Sequence, residues 1–380
     1  MPLPNPVFLL VPYRYSTGSN SGSVFSQLPT NGTGDFVFTR STSGSYINSS
    51  GFIATSSAHE PRIFNYYSGS NTCPGFLIEP SAQNLVPSGL VFNPQANVIY
   101  DTAVSDSPAV GINSARITKN ATGTLYGNQN CSTSALSGST TYTISRFFKY
   151  DGVEFTTSME VNTNTQWGVS WIQLINIASS GVTLGTSTLC TGSVENYGNG
   201  WYRVAVRITT GASPTGSPVT YLMRLPAALS TGQGFLTALP QLEIGSIATS
   251  YIPTTTAAVT RNADVLTDTS YTLPTPNGSI YSEFIASRTA SYYVHSVGPV
   301  PITTGSNRIA ITYTDSNISV YKNGAFVVSQ SIGTYPIGGN IINLGHSSGS
   351  FQLNDNLLSF AIYDSTLSAA DAISLTSGSI

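Results

Sequence analysis

The residues that could carry out chemistry are few and lie far apart. The 380-residue chain has 17 acidic residues and three histidines, His59, His295 and His346. No histidine has a metal-binding neighbour three or four positions away, and no nucleophile motif lies near one. We therefore interpret each histidine as an ordinary surface or core residue.

Two carboxylates, Glu243 and Glu283, lie inside strand patterns. Glycoside hydrolysis needs two facing carboxylates, one of which acts as the acid and the other as the nucleophile or base. Nothing in the sequence assigns these roles, although a sheet can bring distant strands together. We expect no enzymatic activity and no cofactor, with polysaccharide degradation as the alternative.

A third candidate is a strand that alternates strictly between residues 201 and 208. The residues of one face are Tyr202, Val204, Val206 and Ile208. This is the pattern of a half-buried antiparallel strand. The opposite face carries Trp201, Arg203 and Arg207. An indole beside guanidinium groups can stack on a sugar ring and hydrogen-bond its hydroxyls, so these three residues are a candidate glycan-binding face. In the alternative interpretation, this face packs under a loop or a neighbouring sheet and Trp201 is structural.

The overall composition predicts the elements that must position these residues. Only 8% of the residues are charged, while 40% are hydrophobic, and the chain has 35 glycines, 21 prolines and 21 tyrosines. β-Branched and aromatic residues suit sheets, and Gly, Asn and Pro suit turns. A disordered chain would have fewer apolar and aromatic residues. We expect a folded, all-β protein.

Charge and hydropathy argue against several kinds of partner. The net charge is −3 and no cluster of Lys or Arg is present, which argues against nucleic acid. No apolar run reaches the roughly 18 residues that span a membrane, and the proline-rich N-terminus does not have the pattern of a signal peptide. The cysteines, Cys73, Cys131 and Cys190, are widely spaced and follow no metal-binding pattern. We expect reduced, buried thiols in a protein made in a cytoplasm.

Further strands are predicted at residues 141–148, 155–161 and 167–175. Turn residues separate them, which favours a sandwich of short antiparallel strands. Trp167 and Trp171 share one face of the last of these strands, with a valine between them, so we expect both in the core.

The C-terminal part of the chain has two strong local signals. Asn323-Gly324 between alternating segments is typical of a two-residue hairpin turn. Ser368 and Asp371 form a capping box that opens the one helix expected in the chain. The apolar residues of this helix that we expect to dock on a sheet are Ala372, Ile373 and Leu375.

Four short motifs follow one another in the middle of the chain. They are NGWYRV at 199–204, QLEIG at 241–245, SYIPT at 250–254 and TRNADV at 260–265. In this order and spacing they resemble the carbohydrate-binding-module-like jelly roll of tailed-phage virion proteins. Residues 35–85 resemble the N-terminal segment of the same proteins, through DFVFTR at 35–40, PRIFNY at 61–66 and a closing strand at 75–85.

Residues 263–380 resemble concanavalin-A-like or laminin-G-like sandwiches. The similar segments are VYKNG at 320–324, INLG at 342–345 and the closing strand at 357–368. Many such domains bind calcium and glycans. The similar residues lie in scaffold strands, however, so the resemblance assigns no ligand residue and leaves calcium binding open.

The resemblance implies two consecutive antiparallel β-sandwich domains, of the jelly-roll and lectin-like types, after an N-terminal arm and a β-hairpin segment. The predicted boundaries are 1–34 for the arm, 35–85 for the β-hairpin connecting segment, 86–262 for the jelly roll and 263–380 for the second sandwich. A strand candidate at residues 7–11 either docks on the protein's own first domain or anchors the protein to a virion.

The resemblance also implies a function. The chain would be a non-enzymatic structural protein of the bacteriophage virion, a capsid decoration, head fibre or tail-associated knob that displays glycan- or cell-surface-adhesion modules. It would be made in the host bacterial cytoplasm, and its partners would be other virion proteins, a host surface glycan and further copies of itself, with a trimer favoured. Two alternatives stay open: a tail fibre or tailspike that degrades polysaccharide, and a capsid cement protein without a ligand.

Overall fold

The computed structural model describes residues 4–11, 15–16, 22–28, 35–68, 71–87, 92–161, 165–286, 290–294, 298–331, 342–344 and 355–378. Contacts divide the chain into two compact units. Unit 1 comprises Met1–Tyr46, Ser56–Ser81 and Asn262–Ile380, and unit 2 comprises Ile47–Thr55 and Ala82–Arg261. Antiparallel strands dominate both units, which confirms the all-β prediction.

The strands that precede residue 82 are β1 (Phe8–Leu10), β2 (Tyr15–Ser16), β3 (Gly22–Val24), β4 (Phe36–Thr39), β5 (Gly44–Ile47), β6 (Ile53–Ser56), β7 (Ile63–Ser68) and β8 (Asn71–Ile78). The strands from residue 82 to residue 261 are β9 (Ala82–Asn84), β10 (Phe92–Asn93), β11 (Val98–Val104), β12 (Ser114–Lys119), β13 (Leu125–Ser132), β14 (Thr141–Lys149), β15 (Phe155–Val161), β16 (Trp171–Ala178), β17 (Gly181–Thr188), β18 (Thr191–Asn196), β19 (Tyr202–Thr209), β20 (Val219–Leu225), β21 (Gly234–Ile244) and β22 (Val259–Arg261). The later elements are β23 (Val265–Asp268), β24 (Gly278–Ala286), β25 (Ala290–Val294), β26 (Gly298–Ile302), β27 (Gly305–Tyr313), β28 (Asn317–Lys322), β29 (Ala325–Ser331), β30 (Ile342–Leu344), β31 (Asp355–Tyr363) and the helix α1 (Ala369–Ser377).

Unit 2 is built on two six-stranded sheets. Sheet A has the strand order β10-β13-β20-β15-β16-β17, and sheet B has the order β11-β12-β21-β14-β19-β18. Alternate side chains of both sheets meet in one hydrophobic cluster, as in a β-sandwich. Members of this cluster are Met159, Ile175, Tyr221 and Met223 from sheet A and Ile144, Phe148, Val204, Val206 and Ile208 from sheet B.

The two tryptophans predicted to be core residues are buried in this cluster. Trp167 and Trp171 are 0% and 1% exposed, and their rings meet edge to face with 5.4 Å between centroids. Trp167 lies before β16 rather than within it, and its Nε1 donates to the carbonyl of Thr220 at 2.9 Å. The predicted strand at 167–175 therefore begins four residues late in the structure, at Trp171.

Unit 1 is also built on two main sheets. Sheet C has the order β29-β28-β27-β24-β31-β8-β7, with β1 paired to β31, and sheet D has the order β2-β3-β4-β23-β30. Side chains of both sheets share one hydrophobic cluster, which includes Phe36, Leu266, Phe284, Ile309 and Ile362. This arrangement makes unit 1 a second β-sandwich.

The N-terminal strand is part of unit 1. β1 pairs antiparallel with β31, with Phe8 opposite Ile362, and the side chains of Phe8 and Leu10 are 0% and 1% exposed. Strands β4, β7 and β8, from the predicted connecting segment at 35–85, also belong to sheets C and D. The division by contacts thus differs from the predicted one, because the described parts of residues 1–81, apart from residues 47–55, build the same sandwich as residues 262–380.

Local signals in the C-terminal part are largely confirmed. The β28–β29 turn has positive φ at Asn323 (47°) and Gly324 (81°), as a two-residue hairpin turn of this type requires. The side chain of Ser368 accepts a hydrogen bond from the Asp371 amide and caps α1, which ends at Gly378 in the left-handed conformation. The prediction that Ile373 docks is wrong: it is 37% exposed, because the buried stripe at helical spacing is Ala372, Leu375 and Thr376.

Cys131 is a buried free thiol and Cys190 is a half-buried one. Burial raises the pKa of both thiols above the ordinary value. The side chain of Cys73 and the residues His295 and His346 lie outside the described part of the chain. Within the described part, no helix is long and apolar enough to cross a membrane.

Candidate functional site

The indole of Trp201 is buried on the side of sheet B that faces away from the sandwich core. It is 0% exposed and packs in a cluster with Phe147, Leu236 and Tyr251. Its Nε1 donates to Oδ1 of Asp106 at 3.0 Å. Neither ring face is therefore open to a sugar.

The two arginines of the predicted glycan face are not alike. Arg203 is 3% exposed and donates to Oγ of Ser145 at 2.9 Å and to the carbonyl of Thr249 at 2.7 Å. Arg207 is exposed at the far end of β19. The structure thus has the alternative arrangement, in which this face packs under neighbouring segments, and only Arg207 of the three candidate residues remains on the surface.

The two carboxylates considered for hydrolysis lie in different units. Glu243 is buried in unit 2 and accepts hydrogen bonds from Nε2 of Gln241 at 2.7 Å and from the Thr249 amide at 3.0 Å. Burial raises the pKa of Glu243, although Arg203 and these hydrogen bonds act in the opposite direction. Glu283 belongs to unit 1, where it pairs with Nε of Arg308 at 2.9 Å. Each carboxylate is thus held by partners of its own unit.

The described residues also bear on metal binding. His59 is half-buried at a backbone φ of 58°, and its Nδ1 has no hydrogen-bond partner among them. No group of three or more His, Cys, Asp or Glu side chains in the described part of the chain is arranged to hold a metal ion.

A different surface has the polar chemistry that a sugar site needs. It lies on the outer side of sheet A, where side chains alternate with the core residues Met159, Tyr221 and Met223 and therefore point away from the core. We call it the polar face; its residues are Tyr126, Asn128 and Asn130 of β13, Leu222 and Arg224 of β20, and Ser158 and Glu160 of β15. Asn128, Leu222 and Glu160 form one row, because Asn128 pairs with Leu222 and Leu222 with Glu160.

An ion pair stands at the centre of the polar face. Nη2 of Arg224 lies 2.7 Å from Oε2 of Glu160, which also accepts a hydrogen bond from the Ser158 hydroxyl. The carboxylate of Glu160 is fully buried, whereas the side chain of Arg224 is 30% exposed. Nε of Arg224 is buried without a hydrogen-bond partner among the described residues. The hydrogen bond to Glu160 uses Nη2, and the side chain is partly exposed, so the guanidinium keeps further N–H donors, other than the buried Nε, for a ligand or a water molecule.

Asparagine side chains extend the polar face towards the edge of sheet A. Nδ2 of Asn93, on β10, donates to Oδ1 of Asn128 at 3.2 Å and to Oδ1 of Asn130 at 2.8 Å. All three side chains are half-buried, and these bonds leave the amide nitrogens of Asn128 and Asn130 as donors. Fixed amides beside an ion pair and the half-buried ring of Tyr126 can orient a polyhydroxylated ligand.

The sequence carried a signal for this surface. Tyr126, Asn128 and Asn130 occupy alternate positions, as does Leu222 with Arg224, which is the period of a strand face. The sequence does not show that β20 pairs with both β13 and β15, because these strands lie far apart along the chain. The sequence analysis instead placed the glycan-binding face at Trp201, whose ring is buried in the structure.

No protein-family model matches the chain, and no curated protein matches it in sequence.

Proposed function

We propose that this chain is a non-enzymatic structural protein of a bacteriophage virion that displays a glycan-binding surface, the polar face of sheet A. It would act as a capsid decoration, a head fibre or a tail-associated knob, and would be made in the host bacterial cytoplasm. Its partners would be other virion proteins, further copies of itself and a polysaccharide of the host surface.

The observation that carries the binding part of this proposal is the partly exposed guanidinium of Arg224 beside the amides of Asn128 and Asn130. The contact with Glu160 fixes the direction of the Arg224 guanidinium, and Asn93 holds the side chains of Asn128 and Asn130. Groups that are oriented before a ligand arrives lose little conformational entropy on binding. Amides and a guanidinium match the donors and acceptors of sugar hydroxyls.

The virion part of the proposal rests on the resemblance of the sequence motifs. The supporting motifs are NGWYRV at 199–204, QLEIG at 241–245, SYIPT at 250–254 and TRNADV at 260–265. The all-β fold that the resemblance implies is present in the described residues of both units.

One experiment tests the virion part. Virions of a phage whose genome encodes this chain are imaged by cryo-electron microscopy, and the two sandwiches are fitted into the density. We expect density for them on the capsid or on the tail. Complete virions without such density would contradict the proposal.

A second experiment tests the non-enzymatic part. The purified chain is incubated with capsular polysaccharide of the host, and new reducing ends are measured. We expect no release above that of a heat-denatured control. Sustained release of oligosaccharides would overturn the non-enzymatic proposal and favour a polysaccharide-degrading tail protein.

A further inference from the structure

Strand β29 forms one end of sheet C. It pairs with β28 on one side, and no other strand of the described residues pairs with its second side. All seven of its residues are exposed. An edge strand of this kind presents unpaired backbone donors and acceptors to solvent.

The exposed side chains of β29 are unusually apolar. Phe326, Val327 and Val328 are 55%, 41% and 43% exposed. Natural edge strands are generally protected by charged residues, prolines or a covering segment. The strand from Ala325 to Ser331 contains neither a charged residue nor a proline.

A bulge distributes these side chains over both faces of sheet C. Tyr321 pairs with Phe326 and Val320 pairs with Val328, so Val327 is the extra residue. Phe326 packs edge to face on Tyr321, on the side of the sheet that α1 covers, while Val328 lies beside Val320, on the side of the sandwich core. A strand added to this edge would therefore continue both apolar layers.

We propose that β29 pairs antiparallel with β29 of a second copy of this chain, about a two-fold axis. Because the strand carries no charge, self-pairing places no like charges opposite each other. About a two-fold axis, the same strand of each copy contacts the other, so each β29 supplies hydrogen-bond partners for the unpaired backbone groups of its counterpart. Sheet C then continues from one copy into the next.

This inference concerns how copies associate and does not depend on glycan binding by the polar face. It also differs from the trimer that the family resemblance implies, since two-fold pairing of one edge gives a dimer.

The oligomeric state tests the inference. The mass in solution is measured by analytical ultracentrifugation for the full chain, for Val328→Lys and for the control Val110→Lys, whose parent side chain is 63% exposed outside any strand. We expect a dimer for the full chain and for the control, and a monomer for Val328→Lys. A full chain that stays monomeric, a trimer, or a dimer that survives Val328→Lys would overturn the inference.

Hydrogen exchange gives a second measurement that does not rely on a variant. In the dimer, the backbone amides of residues 325–331 that point away from β28 gain partners, so their exchange slows as the protein concentration rises. We expect this concentration dependence in β29 and not in the exposed edge strand β11. Equal exchange of β29 at all concentrations would contradict the pairing, as would slowing confined to other segments.

Discussion

Nη1 of Arg40 lies 2.9 Å from Oδ1 of Asp264, in a fully buried ion pair whose members are 224 residues apart in the chain. The same carboxylate accepts a hydrogen bond from Arg62, which also pairs with Glu79 at 2.7 Å. Burial alone would lower the pKa of Arg62, but the carboxylates of Asp264 and Glu79 raise it. Within unit 1, the network joins the segment that contains Arg40, Arg62 and Glu79 to the segment that begins at Asn262.

Replacement of Asp264 by alanine should strongly destabilise unit 1. The change would leave Arg40 without its carboxylate and Arg62 with one fewer, and removal of one partner from a buried ion pair costs about 3–5 kcal/mol. Calorimetry measures the loss of unfolding free energy in Asp264→Ala and, as a control, in Asp151→Ala. Asp151 pairs with Arg116 at a partly exposed site, where the loss should stay below about 1 kcal/mol. Equal losses in both variants would contradict the structural role of the network.

Trp201→Ala should lower the stability of the fold, because Trp201 is a packing residue and not a glycan-binding one. The indole is fully buried and bonded to Asp106, and truncation of a buried aromatic side chain costs about 3–5 kcal/mol. Arg207→Ala, at an exposed position of β19, should change the free energy of unfolding by no more than about 0.5 kcal/mol. Urea unfolding measures the free energy of unfolding of both variants and of the parent. A Trp201→Ala protein as stable as the parent would contradict the described packing.

Glu243 should make stability fall as the pH rises. Burial raises its pKa in the folded state, so the native protein binds this proton more tightly than the unfolded chain does. Its contribution is therefore favourable below the unfolded pKa of about 4.3 and is lost as the pH rises through the higher folded pKa. The difference in unfolding free energy between the parent and Glu243→Gln should decrease over that window. A difference that increases with pH would mean that Arg203 and the hydrogen bonds outweigh burial.

Ser368→Ala should weaken the docking of α1. The Ser368 hydroxyl accepts from the Asp371 amide at 3.2 Å, and loss of an N-cap costs about 0.5–2 kcal/mol. The matched control is Ser374→Ala, within the same helix, where alanine should be neutral or slightly stabilising. Thermal unfolding compares the two variants. The assignment of the cap would be wrong if Ser374→Ala were the more destabilising change.

Local patterns predicted the elements better than their arrangement. The strand at 155–161 matches β15, the strand at 141–148 is one residue shorter than β14, and the Asn323-Gly324 turn is confirmed. Such features depend on alternation and turn chemistry, which a sequence shows directly. The pairing of β1 with β31 and the burial of Trp201 depend on contacts between distant segments, which have no local signature. The polar face was missed for the same reason, since its strands meet only in the folded sheet.

The most direct test of glycan binding is an array of bacterial capsular and O-antigen polysaccharides, probed with the parent chain, with Asn128→Ala/Asn130→Ala and with the control Arg207→Ala. We expect saturable binding by the parent and the control. The double variant should bind at least about tenfold more weakly, because loss of two hydrogen-bonding groups at about 1 kcal/mol each exceeds the 1.4 kcal/mol of a tenfold change. No binding by the parent to any polysaccharide, or unchanged binding by the double variant, would contradict the account.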